Sequence, residues 1–158
     1  MDWAGWAIFG LVATVVLTAM MVGAQLAGWS RLDMTLLLGS AFVAGVDQAR
    51  VVGVLLHLAA GYVFALIYAA AFALIGWATW WLGALFGAVH GLVALIVIVP
   101  LAAGVHPRMG TERSGPSLGV VLEPPGVLGL NYGLQTPVVA LVAHGTYGAI
   151  LGGFLQPR

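Results

Sequence analysis

From residue 51 to residue 107 the chain runs for 57 positions without one charged side chain. A helix needs about 20 apolar residues to cross the roughly 30 Å hydrocarbon core at 1.5 Å per residue, so this run has room for two spans. The other uncharged stretches are 3–30, 34–46 and 124–157, of 28, 13 and 34 residues. They hold one span, none and one. The spacing of charges therefore predicts an all-α, integral membrane four-helix bundle, a single transmembrane domain over residues 1–158. Its spans fall near 4–28, 49–75, 79–103 and 135–155. Composition agrees: 62% of the residues are hydrophobic and 6% charged, against about 25% charged in a soluble domain. The lipid bilayer is the expected surrounding.

The six tryptophans support this segmentation. Trp3, Trp6, Trp29, Trp77, Trp80 and Trp81 fall at span ends, where an indole sits best at headgroup level. The apolar piece 34–46 is too short to cross, and Asp33 is placed to cap it, so it reads as a short interfacial or re-entrant helix. Residues 105–134 hold four prolines and six glycines and read as a long, irregular extramembrane loop. With four spans, Arg31, Arg50, Arg108 and Arg113 share one side and Arg158 the other. The positive-inside rule then puts the long loop in the cytoplasm and both termini outside. The N-terminal apolar segment, without a basic leader, reads as a retained first helix.

Several function classes are excluded. The net charge is zero and there is no lysine, so no basic face exists for nucleic acid. Without cysteine there is no disulfide, thiolate metal site or iron–sulfur cluster; any metal or haem would hang on histidine. No acidic residue lies inside a span, and Ser30, Ser40, Ser114 and Ser117 lie in connectors without an activating His–Asp arrangement. No catalytic residue is expected.

The remaining candidates lie within the spans and at their ends. Gly83, Gly87 and Gly91 recur every four residues, and Gly148 with Gly152 continues the register of His144. Such faces let helices approach closely, for packing inside the bundle or for docking another membrane protein. An offset of 77 carries Phe9-Gly10 onto Phe86-Gly87 and Arg31 onto Arg108; an offset of 87 carries His57 and Gly61 onto His144 and Gly148. The matches fit two repeated helical hairpins and also fit chance in apolar sequence. If the duplication holds, His57 and His144 sit at equal depth. His57, His90 and His144 fall mid-span. They either bridge helices through neighbouring carbonyls or ligate a haem b or a metal ion. His106 reads as solvated or interfacial, and Tyr62 and Tyr147 as core filling or as hydrogen bonds across helices. Arg31 with Asp33, and Asp47 with Arg50, read as helix-end ion pairs, with headgroup or partner binding as the alternative.

Arg31-Leu-Asp-Met-Thr-Leu-Leu-Leu-Gly39, His57-x-x-x-Gly61, His90-Gly91, His106-Pro107, and Asn131-Tyr-Gly133 through Thr136-Pro137 to His144-x-x-Tyr147-Gly148 together cover nearly the whole chain. They resemble a family of small bacterial membrane proteins similar in style to the YagU-like inner-membrane proteins. The resemblance implies a four-helix membrane fold and a bacterial cytoplasmic membrane, and carries no activity or catalytic residue with it. The functional expectation is a non-catalytic accessory or structural subunit packed against other membrane protein subunits of a larger respiratory or photosynthetic complex. The alternatives are a haem b or metal-binding membrane protein built on the three histidines, and a small transporter or channel.

Overall fold

The computed structural model describes residues 2–110 and 122–155; Glu112, Arg113, Ser114, Ser117 and Arg158 lie outside the described residues. Four helices are long and apolar enough to cross a membrane: Trp3–Leu26, Val46–Ile75, Trp80–Val105 and Thr136–Phe154. The chain is a multi-pass α-helical membrane protein. α1 is Trp3–Leu26, α2 the short Met34–Ser40 and α3 Val46–Ile75. The third span is α4 (Trp80–Val93), a π-helical turn (Ala94–Ile98) and α5 (Val99–Val105); α6 is Thr136–Phe154.

Local chemistry sets the ends. The Asp2 carboxylate accepts from the Gly5 amide at 2.9 Å and starts α1; the Thr79 hydroxyl does the same for Leu82 at the head of α4, supplying partners for otherwise orphaned N–H groups. α3 ends at Gly76, whose φ of 83° closes the helix in the left-handed conformation that a side chain resists. Pro100 has no N–H to give the Ile96 carbonyl and its ring crowds that turn. The helix widens just before it, and the Val99 amide reaches back five residues to Ala94, so the span continues through the proline.

The spans pack in the order α4 on α6, α6 on α1, α1 on α3. The α4–α6 contact is the tightest. A methyl group at Gly83 would overlap the Gly148 carbonyl, one at Gly87 the His144 carbonyl, and one at Gly152 the Thr79 carbonyl, while Gly91 lies 3.0 Å from the His144 Cβ. The five glycines are thus spent inside the bundle. In the α1–α3 hairpin Gly61 makes room for the Thr14 side chain and Gly10 meets Ala65. α3 and α4, consecutive in the chain, meet through rings instead. Phe72 stacks on Phe86 at 5.7 Å, and Phe64 lies 3.9 Å from the His90 ring.

Three expectations change. The piece 34–46 is helical only to Ser40; it turns, and α3 begins at Val46. At 30 residues, or about 45 Å, α3 outruns the hydrocarbon core, and α2 lies along its first turns, with Gly39 against Ala49 and Gly53 against Thr35. The 105–134 segment is not wholly irregular, for it carries a 3-10 turn at Val127–Tyr132 and a bridge between Met109 and Leu122. The sequence matches between the hairpins also do not extend to helix register. Gly10 faces Tyr62 and Ala65, but Gly87 faces His144 and Gly145, whose counterparts by the 87-residue offset are His57 and Leu58.

Overpacking a closed contact costs about 1–3 kcal/mol. Gly148→Ala is therefore expected to lower the unfolding free energy by that amount. Gly23→Ala, where nothing lies within 4 Å of the added methyl, should leave it unchanged or raise it by up to about 1 kcal/mol. Unfolding in detergent followed by far-UV circular dichroism measures both.

Candidate functional site

The three mid-span histidines converge. His57, His90 and His144, from α3, α4 and α6, line one cavity of about 130 Å³ together with Thr14 and Tyr147. Its remaining wall is largely apolar, and Ala94 and Ile98 of the π-helical turn belong to it.

Hydrogen bonds define each ring. The Thr18 hydroxyl gives its proton to the Thr14 carbonyl at 2.7 Å, so it accepts from His57 Nδ1 at 3.1 Å. His144 Nδ1 donates to the Ala140 carbonyl at 2.8 Å. In the neutral rings both leave Nε2 as the lone-pair nitrogen. His90 differs, because its Nδ1 is buried without a partner. The His90 and His144 rings stand 4.9 Å apart between centres, at 76°. Tyr147 donates to the Gly61 carbonyl at 2.6 Å and Tyr62 to the Ala7 carbonyl at 3.0 Å. Both tyrosines therefore tie helices together, the second of the two roles their positions suggested.

The cavity suits an ion or a few atoms. Sites for drug-sized ligands run from about 300 Å³ upward, and this cavity is smaller than that. With a metal about 2 Å from each ring nitrogen, trans imidazoles hold their centres about 6 Å apart and tetrahedral ones about 5 Å; the His90–His144 spacing matches the second. Among the described residues no three His, Cys, Asp or Glu side chains are grouped to share one metal ion. The pair would be a partial site.

A second polar layer lies where α2 and the long loop meet the spans. Arg50 pairs with Asp33 at 3.1 Å and Arg31 with Glu123 at 2.7 Å. This corrects the expected pairing of Arg31 with Asp33 and of Arg50 with Asp47. Helix capping turns the Asp33 carboxylate toward the Leu36 amide at 2.9 Å, and the folded-back α2 brings it to Arg50. Ser30 and Thr136 share a hydrogen bond at 2.8 Å. His106, expected at a solvated position, is buried. Its Nε2 donates to the Leu37 carbonyl at 2.9 Å, and its Nδ1 accepts from the Arg108 amide at 3.1 Å. Ser40 lies 3.4 Å from Nε2, but that nitrogen already gives its proton to a carbonyl and cannot act as a base on the hydroxyl. The loop is thereby fastened to α2. The His106 partners Leu37 and Ser40 lie 69 and 66 positions away, so only the contact with Arg108 is local in sequence. Burial and the Glu123 charge push the Tyr132 hydroxyl up to about 12.

No protein-family model, no curated protein and no solved structure matches the chain.

Burial raises the pKa of Asp33, but the Leu36 amide, the Thr35 hydroxyl and Arg50 together outweigh it and hold the carboxyl below its ordinary 3.8. A carboxylate depressed in the folded state stabilises in full above its unfolded value and loses that contribution as pH falls through the folded one. The wild type should therefore exceed Asp33→Asn in stability near neutral pH, and the difference should shrink as pH falls below the ordinary carboxylate range. Denaturation across that range measures the difference.

Proposed function

We propose that this chain is a non-catalytic accessory or structural subunit of a larger membrane complex, respiratory or photosynthetic, in a bacterial cytoplasmic membrane. The observation that carries the reading is Gly23. The glycines of α4 and α6 are occupied within the bundle, yet a methyl at Gly23 of α1 would meet nothing within 4 Å. Gly23 lies in an apolar groove of about 530 Å³ between α1 and α6, with Met20, Trp29, Val138 and Val142. A bare glycine in an outward groove is what a helix from another subunit needs for close approach. Arg31, Arg50 and Arg108 gather at the α2 end, which supports placing that end and the long loop in the cytoplasm and the termini outside. Membership of a YagU-like family belongs to the same proposal and rests on the motifs alone.

A second reading is favoured by the His90–His144 spacing, namely that the cavity holds one metal ion with further ligands from outside the histidine pair.

Native mass spectrometry of the protein extracted from its own membranes in mild detergent tests both. The accessory reading expects a heavier assembly that Gly23→Leu reduces to the free 16.3 kDa chain. A wild-type chain that runs alone would overturn it. An added metal mass lost in His144→Ala would support the second reading, and a bare mass would remove it.

A further inference from the structure

Each of the three mid-span histidines keeps one nitrogen unused. His57 and His144 spend Nδ1 on the Thr18 hydroxyl and the Ala140 carbonyl. Neither of their Nε2 atoms, nor that of His90, bonds to any described residue. Among the described residues two buried side-chain atoms are left without a partner, the Tyr68 hydroxyl and His90 Nδ1. The three Nε2 atoms are not among these two, so each retains accessible surface. The space that the three residues share is the cavity of about 130 Å³.

The surroundings of His90 decide where its proton sits. On Nδ1 it would be a buried hydrogen with no acceptor; on Nε2 it meets open space and leaves a lone pair behind. Orphaned buried N–H groups are rarer than under-satisfied acceptors, so the proton belongs on Nε2. The three rings then present two acceptors, His57 and His144, and one donor, His90. The His90 and His144 ring centres are 4.9 Å apart, a gap that one molecule making two hydrogen bonds of about 2.8 Å can bridge.

The occupant that matches these groups is small, accepts one hydrogen bond and donates two. No acidic residue lines the cavity, so a neutral molecule is held there at less cost than a cation. Water meets every condition. An ordered water needs two to four polar partners, and at about 30 Å³ per molecule the cavity has room for about four. Met34 and Leu37 of α2 belong to the same wall, so the cavity reaches from the histidines toward the end of the bundle where Asp33 and Arg50 pair.

We propose that the three histidines form a hydration site in the middle of the membrane. Water accepts there from His90 Nε2–H and donates to Nε2 of His144 and of His57, joining α3, α4 and α6. The site does not depend on the subunit assignment. It is also distinct from the metal reading, which needs the lone pair rather than the proton on His90 Nε2.

The test is magic-angle-spinning NMR of the full chain in lipid bilayers, with nitrogen-15 histidine and each ring assigned by its loss in His57→Phe, His90→Phe or His144→Phe. His90 should carry its proton on Nε2 and receive magnetisation from water there, while His57 and His144 carry theirs on Nδ1. Ala60 lines the cavity, and Ala60→Leu narrows it without touching a histidine. That variant should lose the water signal at His90, with far-UV circular dichroism reporting its fold. The wild-type spectrum decides the matter even where the variant fails to fold, since no water contact at His90 Nε2–H would overturn the proposal. So would a contact that survives in folded Ala60→Leu. A proton on His90 Nδ1 with a metal ion on Nε2 would overturn it and support the metal reading instead.

Discussion

The fold depends on bare backbone contact between α4 and α6. In lipid there is no hydrophobic force to drive helices together, because the tails are as apolar as leucine. Dispersion between closely packed atoms and well-satisfied polar groups must supply the attraction. Gly83, Gly87, Gly148 and Gly152 allow this by bringing the two backbones to a distance that no Cβ would permit. Each of these four positions has a carbonyl or Cα of the facing helix where a side chain would stand.

This contact decides where everything else goes. Small residues fill the α4–α6 seam, and the large apolar side chains are turned outward; Leu74, Leu85, Leu101 and Val138 are all exposed. α1 docks on α6 and α3 on α1, but α3 cannot approach α4 in the same way. Rings of Phe64, Tyr68 and Phe72 on α3 stand against Phe86 and His90 on α4 and hold the helices apart. The histidine-lined cavity lies inside this looser region. The widened turn ahead of Pro100 contributes Ala94 and Ile98 to the cavity wall, and such turns are frequent at functional sites.

Much of the fold was legible because the bilayer imposes a length on any apolar run. Four spans follow from the position of ten charges, and the described helices begin and end within a few residues of the expected limits. The Gly83, Gly87, Gly91 pattern gave the packing face for the same reason, since period four is a property of one helix. What escaped depended on contacts between distant segments. Arg50 pairs with Asp33 across 17 positions and Arg31 with Glu123 across 92; neither follows from local spacing. The burial of His106 requires α2 to fold back and offer the Leu37 carbonyl. Convergence of the three histidines was open to conjecture from their depth, but the unpartnered Tyr68 hydroxyl was not, for it emerges only when every neighbouring polar group has been matched.

The α4–α6 seam can be probed directly because the chain has no cysteine of its own. A Cβ at Gly153 would lie 3.6 Å from the Cβ of Trp80, inside the roughly 3.5–4.5 Å of a disulfide. Trp80→Cys combined with Gly153→Cys, oxidised in native membranes before any detergent is added, should close an intramolecular bridge rapidly and nearly completely. A Gly23→Cys, Gly153→Cys pair should not. Failure of the first pair to bridge, or bridging only between chains, would contradict the arrangement from which the rest of this structure follows.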